Sequence, residues 1–200
     1  MAIRGYWNRV QLDRDRCLVY GPSLGRLYLV PNQLASDCYF QRLLGLRRFT
    51  SCEGLSDPAD RIVHDQTKLK SLPVVRAPAW LCAAYRIIHY SRTVIPFSLA
   101  IRLIQAASRL SSRTPRRSVS DIGRLVHGIE TVARRADCYP RALITAYLCL
   151  ASGHACDFAV GSLAPTRKMH AWCSAGGELP YEALPEHYMY CPLLVLTLTP

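Results

Sequence analysis

The sequence predicts an α+β protein. A small N-terminal winged-helix-like unit, three antiparallel strands plus helices, precedes a domain of helices packed on a second antiparallel sheet. Three observations carry this. Short apolar segments punctuated by Gly and Pro fill the first thirty residues. Apolar stripes at helical spacing dominate residues 80–151. Extended apolar runs return after Gly153 and close the chain at Leu193 to Leu198. Strands and helices segregated along the chain are the pattern of an α+β fold.

Taken in order, residues 9–13 alternate through Val10 and Leu12 and predict a first strand. Residues 16–20 predict a second, and residues 26–30, closed by Pro31, a third. Asn32 is placed to cap a helix carrying Leu34, Ala35, Cys38, Tyr39 and Leu43. Asp57-Pro58 opens another, with Ile62, Val63 and Leu69 as its apolar residues. Residues 71–78 hold two prolines and no periodicity, so the boundary between a 1–75 unit and a 76–200 domain is placed there.

Trp80, Leu81, Ala84, Tyr85, Ile87 and Ile88 make a helical stripe. Phe97, Leu99, Ile101, Leu103, Ile104 and Ala107 make another, apolar nearly all round and therefore expected to be buried. Arg109, Arg113, Arg116 and Arg117 read as a solvated loop. Ser120 or Asp121 is expected to cap the helix whose Ile122, Leu125, Val126, Ile129 and Val132 repeat at i, i+3, i+4, i+7. A further apolar helix starts at Asp137-Cys138 and stops at Gly153. Strands follow over residues 155–161, 169–173, 178–182 and 193–198.

Half of the 200 residues are hydrophobic, which allows a sizeable core and excludes general disorder. Residues 1–10 lack the continuous apolar stretch of a secretory signal. The longest apolar run, residues 94–107, is broken by Pro96 and Arg102 and falls short of the roughly 18 residues that cross a bilayer. The expectation is a soluble, cytoplasmic chain with no membrane partner. Nine cysteines, an odd number with no C-x-x-C pair, favour reduced thiols over a disulfide framework, and no metal is expected. The net charge of +11, almost all from arginine, suits an anionic partner. A GC-rich genome gives the same bias through its codons. His127, His154 and His187 have no metal-site spacing.

The chemistry concentrates between Asp137 and Glu182. A thiol of pKa about 8.5 needs activation to be a nucleophile at neutral pH. The first turn of a helix supplies it through unpaired N–H groups and a positive dipole end. Cys138 stands at such a start, and Pro140 suits a first turn. His170, on a strand, can share the thiol proton. Glu182, after the Gly176-Gly177 turn, can orient the imidazole, with Glu178 the competitor. This is the order of a papain-like or transglutaminase-like site. The plainer reading is that Cys138 is a small buried hydrophobe, as free cysteines commonly are.

The segment Cys138-Tyr139-Pro140-Arg141-Ala142-Leu143, the helix ending at Gly153, Phe158-Ala159-Val160-Gly161 and His170-Ala171-Trp172 resemble the lasso-peptide B proteins of bacteria. These are transglutaminase-like cysteine peptidases that remove the leader from a ribosomal precursor peptide during antibiotic biosynthesis. The family's third residue is usually Asp, so Glu182 is a departure. The N-terminal unit is similar to the family's precursor-recognition element, in which the leader adds to the third strand and packs against the last helix. The resemblance thereby implies Leu27, Tyr28 and Leu29 as the receiving edge, with Ile62, Val63 and Gln66 opposite. Equally, Leu27 and Leu29 can be the buried face of a strand. It also implies an asparagine-synthetase-like cyclase as partner and ATP use by the maturation machinery, with no cofactor assigned to this chain. The chain has no G-x-x-x-x-G-K-[ST] phosphate loop. Nucleic acid is not the expected partner, because Asp60 and Asp65 interrupt the basic residues of the helix after Asp57. Two other readings stay open: a thiol-dependent acyltransferase of the same fold, and a non-enzymatic binding protein with a degenerate catalytic domain.

Overall fold

The computed structural model describes residues 4–7, 9–11, 14–21, 26–35, 50–51, 75–92, 94–111, 116–163, 168–181 and 190–200. Strands β2 (Arg9–Gln11), β3 (Arg16–Gly21) and β4 (Arg26–Pro31) form an antiparallel meander in that order. Cys17 lies opposite Val30, and both are buried. A single turn, α1 (Asn32–Ala35), follows. Asn32 is its first residue rather than a cap. Its side-chain amide donates to the Arg14 carbonyl at 2.8 Å and its backbone N–H to the Asp15 carbonyl, which pins the turn to the start of β3. The helices expected over residues 36–45 and after Asp57 lie outside the described residues.

A second sheet has the order β5-β1-β8-β6-β7. Its members are β1 (Arg4–Trp7), β5 (Thr50–Ser51), β6 (Cys156–Leu163), β7 (Lys168–Ser174) and β8 (Cys191–Leu198). All pairs are antiparallel except the short β1–β5 contact. In β8, residues Leu193, Leu194, Val195 and Leu196 are all buried. A strand covered on both faces shows a continuous apolar run instead of an alternating one. Strand β1 escapes sequence reading because Arg4-Gly5-Tyr6-Trp7 is short and has no apolar alternation. It pairs with β8 through the backbone, Arg4 opposite Thr197 and Trp7 opposite Leu194.

Four helices follow, α2 (Ala79–Ser91), α3 (Phe97–Leu110), α4 (Val119–Ala133) and α5 (Cys138–Ala151); α5 packs on β6 and β7, and the other three pack against α5. Helices α2 and α3 each begin directly after a proline, Pro78 and Pro96, whose carbonyls accept the first helical N–H bonds. Helix α3 is not buried all round. Phe97, Ile101 and Ile104 face inward, while Leu99 and Leu103 stand about half exposed. The cap of α4 is Ser118, two residues before the expected Ser120. Its Oγ accepts from the Asp121 N–H at 3.1 Å and donates to Asp121 Oδ2 at 2.7 Å. That hydroxyl, the first of several causes, holds the Asp121 carboxyl below its ordinary value.

Helix α5 is the central element. Eleven consecutive residues from Pro140 to Leu150 are buried, and Gly153, at φ 84°, ends it in the left-handed conformation that only glycine adopts freely. Tyr20 of β3 meets Phe97 of α3 edge-on at 5.8 Å, and Phe97 meets Phe158 of β6 at 5.4 Å. These rings join the meander, the helices and the second sheet in one core.

After β7 the chain reverses through Gly176 (φ 61°) and Gly177 (φ 82°), the positive-φ pair of a tight hairpin turn. Ala175 and Glu178 exchange backbone hydrogen bonds of 2.9 and 3.1 Å. Of the strand expected over residues 178–182, the described residues 178–181 show this one bridge. Pro180 has no N–H to extend a ladder. Among the described residues, no helix is long and apolar enough to cross a membrane.

Candidate active site

Cys138 is the first residue of α5 and is half-buried. Its position is set by Asp137, the cap. Asp137 Oδ1 accepts from the Tyr139 N–H at 3.3 Å. Its Oδ2 accepts from His89 Nδ1 at 2.7 Å and from an Arg92 guanidinium nitrogen at 2.6 Å. Arg135 donates to the other nitrogen of His89 at 2.7 Å, so the ring is held in one tautomer. The Asp137 N–H donates to the Tyr85 hydroxyl at 2.9 Å. That hydroxyl reaches Glu130 Oε1 at 3.0 Å, and the same oxygen accepts from Arg141 Nε at 2.9 Å. Burial, then the Glu130 carboxylate, hold the Tyr85 hydroxyl well above its ordinary pKa, so it remains a donor. The turn bearing Cys138 is thus tied to α2 by Asp137 and to α4 by Arg141.

Arg141 also lies over the Tyr181 ring at 5.6 Å, and Tyr181 stacks on His127 at 5.1 Å. The residue before Glu182 is therefore anchored within one helical turn of Cys138. Glu182 itself lies outside the described residues. Glu178 is in the hairpin bridge, at the far side of Pro180.

His170 is 1% exposed on β7. The alternation of the strand holds. Trp172 stacks on His170 at 5.8 Å, and Tyr190 packs on the imidazole at 4.9 Å. Ala171 and Cys173 belong to the main core beneath α5, whereas Trp172 belongs to a smaller cluster with Ala159, Leu179, Tyr190 and Val195. The face of β7 that carries His170 is thus the one turned away from the body of α5. A single residue, Pro180, separates Leu179, in the Trp172 cluster, from Tyr181, on Arg141. This short segment passes from the imidazole side of the sheet to the first turn of α5.

A comparison with protein families matches the transglutaminase-like superfamily over residues 82–195. The chain belongs to this superfamily. The match starts within α2 and includes Cys138, His170 and Glu182. Searches of curated proteins and of solved structures return no match. Transglutaminase-like domains are typically cysteine proteases or acyltransferases, which fits a half-buried thiol at a helix start.

Gly161 lies opposite His170 in the ladder of this transglutaminase-like domain and leaves room for Trp172. A Cβ there would come within 2.6 Å of the Cys191 carbonyl oxygen and 2.8 Å of the Trp172 ring. Gly161→Ala is expected to cost about 1–3 kcal/mol by overpacking. It should also displace Trp172 from His170, read as a change in tryptophan fluorescence together with a lowered melting temperature.

Residues far from Cys138 hold the one metal-competent group among those described. The sulfurs of Cys149, Cys156 and Cys173 lie within 4.8 Å of one another, all buried between α5 and the β6–β7 hairpin. Hydrogen bonding to Cys149, with burial added, pushes the Cys173 thiol well above its ordinary pKa. The sequence spacing of these three shows no metal signature, because a helix and two strands bring them together.

The recognition residues are placed in part. Tyr28 and Leu29 are half-buried on β4, Tyr28 against the main core. Leu27 lies on the same strand, opposite Tyr20. Among the described residues β4 has one partner strand, β3. Ile62, Val63 and Gln66 lie outside the described residues. Tyr85, His89, Arg92, Glu130 and Tyr181 were not singled out as site residues from sequence. Only Tyr85 and His89, four apart on α2, carried a local signal, a polar pair at helical spacing.

Proposed function

We propose that the chain is a cysteine peptidase that cleaves the leader from a ribosomal precursor peptide, the role of the lasso-peptide B proteins. The observation that carries this reading is the placement of Cys138 at the capped first turn of a buried helix, with the chain entering Glu182 anchored to Arg141 of the same turn. The Cys138 thiolate attacks the scissile carbonyl. The leaving amine takes its proton from His170, and a thioester remains on Sγ. His170 then accepts a proton from water, whose oxygen attacks the thioester and releases the new carboxylate. Glu182, or Glu178 in its stead, orients His170.

Residues 1–75 supply the recognition unit in this reading, apart from β1 and β5, which belong to the second sheet. The leader adds to β4 beside Leu27, Tyr28 and Leu29, and Ile62, Val63 and Gln66 line the other side. An asparagine-synthetase-like cyclase consumes the product, and the maturation machinery uses ATP.

The test is alkylation of the native protein with limiting iodoacetamide at mildly acidic pH, read by intact mass and peptide mapping. Cys138 should label ahead of the other eight cysteines, and His170→Ala should remove that lead. Equal labelling of Cys138 and the rest, with the cyclase present as well as absent, would sink the proposal.

A further inference from the structure

We infer that the cavity beside Cys138 receives a bulky apolar side chain of the peptide substrate, within one or two residues of the bond attacked. The inference rests on Cys138 being the nucleophile. The cavity, of about 460 Å³, lies between α2, α3 and α5. Ala84, Ile88, Leu103, Ile104, Tyr139 and Leu143 form much of its wall.

Three observations select the occupant. First, most polar side chains of the lining are already engaged with one another or with the chain. Arg92 is bound to Asp137 at 2.6 Å. The hydroxyls of Ser111 and Tyr147 bond each other at 2.7 Å, and Ser91 donates to the Ile88 carbonyl at 3.4 Å. A nucleotide or a charged side chain would find few unused partners there, while an apolar group needs none. Second, large apolar residues stand open to solvent at the cavity and on its helices. Trp80 is 54% and Leu103 53% exposed, and Leu110 is 87% exposed. Third, the cavity adjoins the nucleophile. Tyr139 lines it directly after Cys138, and Arg92 lines it while holding the Asp137 cap. An extended peptide advances about 3.3–3.6 Å per residue. A side chain one or two positions from the reacting carbonyl therefore reaches this wall.

The expected gain is roughly tenfold to a hundredfold in reactivity, the effect of burying one large apolar side chain. The probes are iodoacetamide and N-(2-phenylethyl)iodoacetamide, which share a warhead and differ in the apolar group. The second reagent should alkylate Cys138 of the full chain at least tenfold faster than the first. Leu103→Glu, at a half-exposed wall position, and Ala107→Trp, which fills the space, should each abolish that advantage and leave the iodoacetamide rate unchanged. Two variants of opposite chemistry guard against one that misfolds.

If Cys138 leads with iodoacetamide but the phenylethyl reagent is no faster, the cavity assignment is overturned and the nucleophile stands. Loss of any lead for Cys138 overturns both. A dimer in sedimentation that Leu103→Glu splits would assign the cavity to a second copy of the chain and overturn the inference as well.

Discussion

Cys138→Ala is expected to lower peptide hydrolysis on the order of 10⁴-fold, while the melting temperature stays within a degree or two of wild type. Removal of the nucleophile from a covalent mechanism removes the intermediate altogether, and what survives comes from binding and orientation alone. Stability should hold because Cys138 is only half-buried and alanine is the best helix former. The cap that fixes the turn is the Asp137 side chain, which the substitution does not touch. Cys138→Ser should be nearly as inactive, since a serine hydroxyl at this helix start lacks the thiol's accessible anion. The measurement is product formation by mass spectrometry alongside thermal unfolding. An active Cys138→Ala protein would move the chemistry elsewhere and leave the non-enzymatic or differently catalytic readings.

Glu130→Ala is expected to destabilise the protein by about 3–5 kcal/mol, the cost of stranding one partner of a buried ion pair. Glu130 and Arg141 side chains are 5% and 4% exposed, with Nε to Oε1 at 2.9 Å. The loss also leaves the Tyr85 hydroxyl without its carboxylate. For a chain of this size that corresponds to a fall of roughly 6–20 °C in melting temperature. The double variant Glu130→Met, Arg141→Met should recover much of the stability, because neither charge is then buried alone. It should not recover activity, because Tyr181 loses the guanidinium beneath it. A recovery of stability without activity separates the anchoring of the 179–181 segment from the holding of the fold.

The parts of the site legible in the sequence were those with a local signal. Asp137-Cys138-Tyr139-Pro140 announces a helix start by its cap and proline, and α5 begins there. Period two on β7 gave the shared face of His170 and Trp172, and the rings stack. The parts that were not legible depend on partners 45 to 52 positions apart, as between Tyr85 and Glu130 or Asp137. The cap of α4 was misplaced because Ser118, Ser120 and Asp121 all suit the role, and the geometry of Asp121 decides for Ser118. Helix α3 read as buried because its leucines and isoleucines leave little polar surface, yet Leu99 and Leu103 face outward. The strand expected after the Gly176-Gly177 turn is, over the described residues 178–181, a single bridge, because Pro180 has no N–H to extend the ladder. Strand β1 draws its stability from β8 alone among long strands, and four residues carry no pattern of their own.

The position of β8 has a consequence for synthesis on the ribosome. This strand stands between β1 and β6, so the sheet has no middle until residues 191–198 have been made. Residue 4 waits for residue 197. At about 5–20 residues per second that wait is roughly 10–40 s for β1, whereas the edge of the β6–β7 hairpin, complete at Ser174, waits only roughly 1–5 s. Such nascent edges are where a holding chaperone, or a preformed partner subunit, would act during translation.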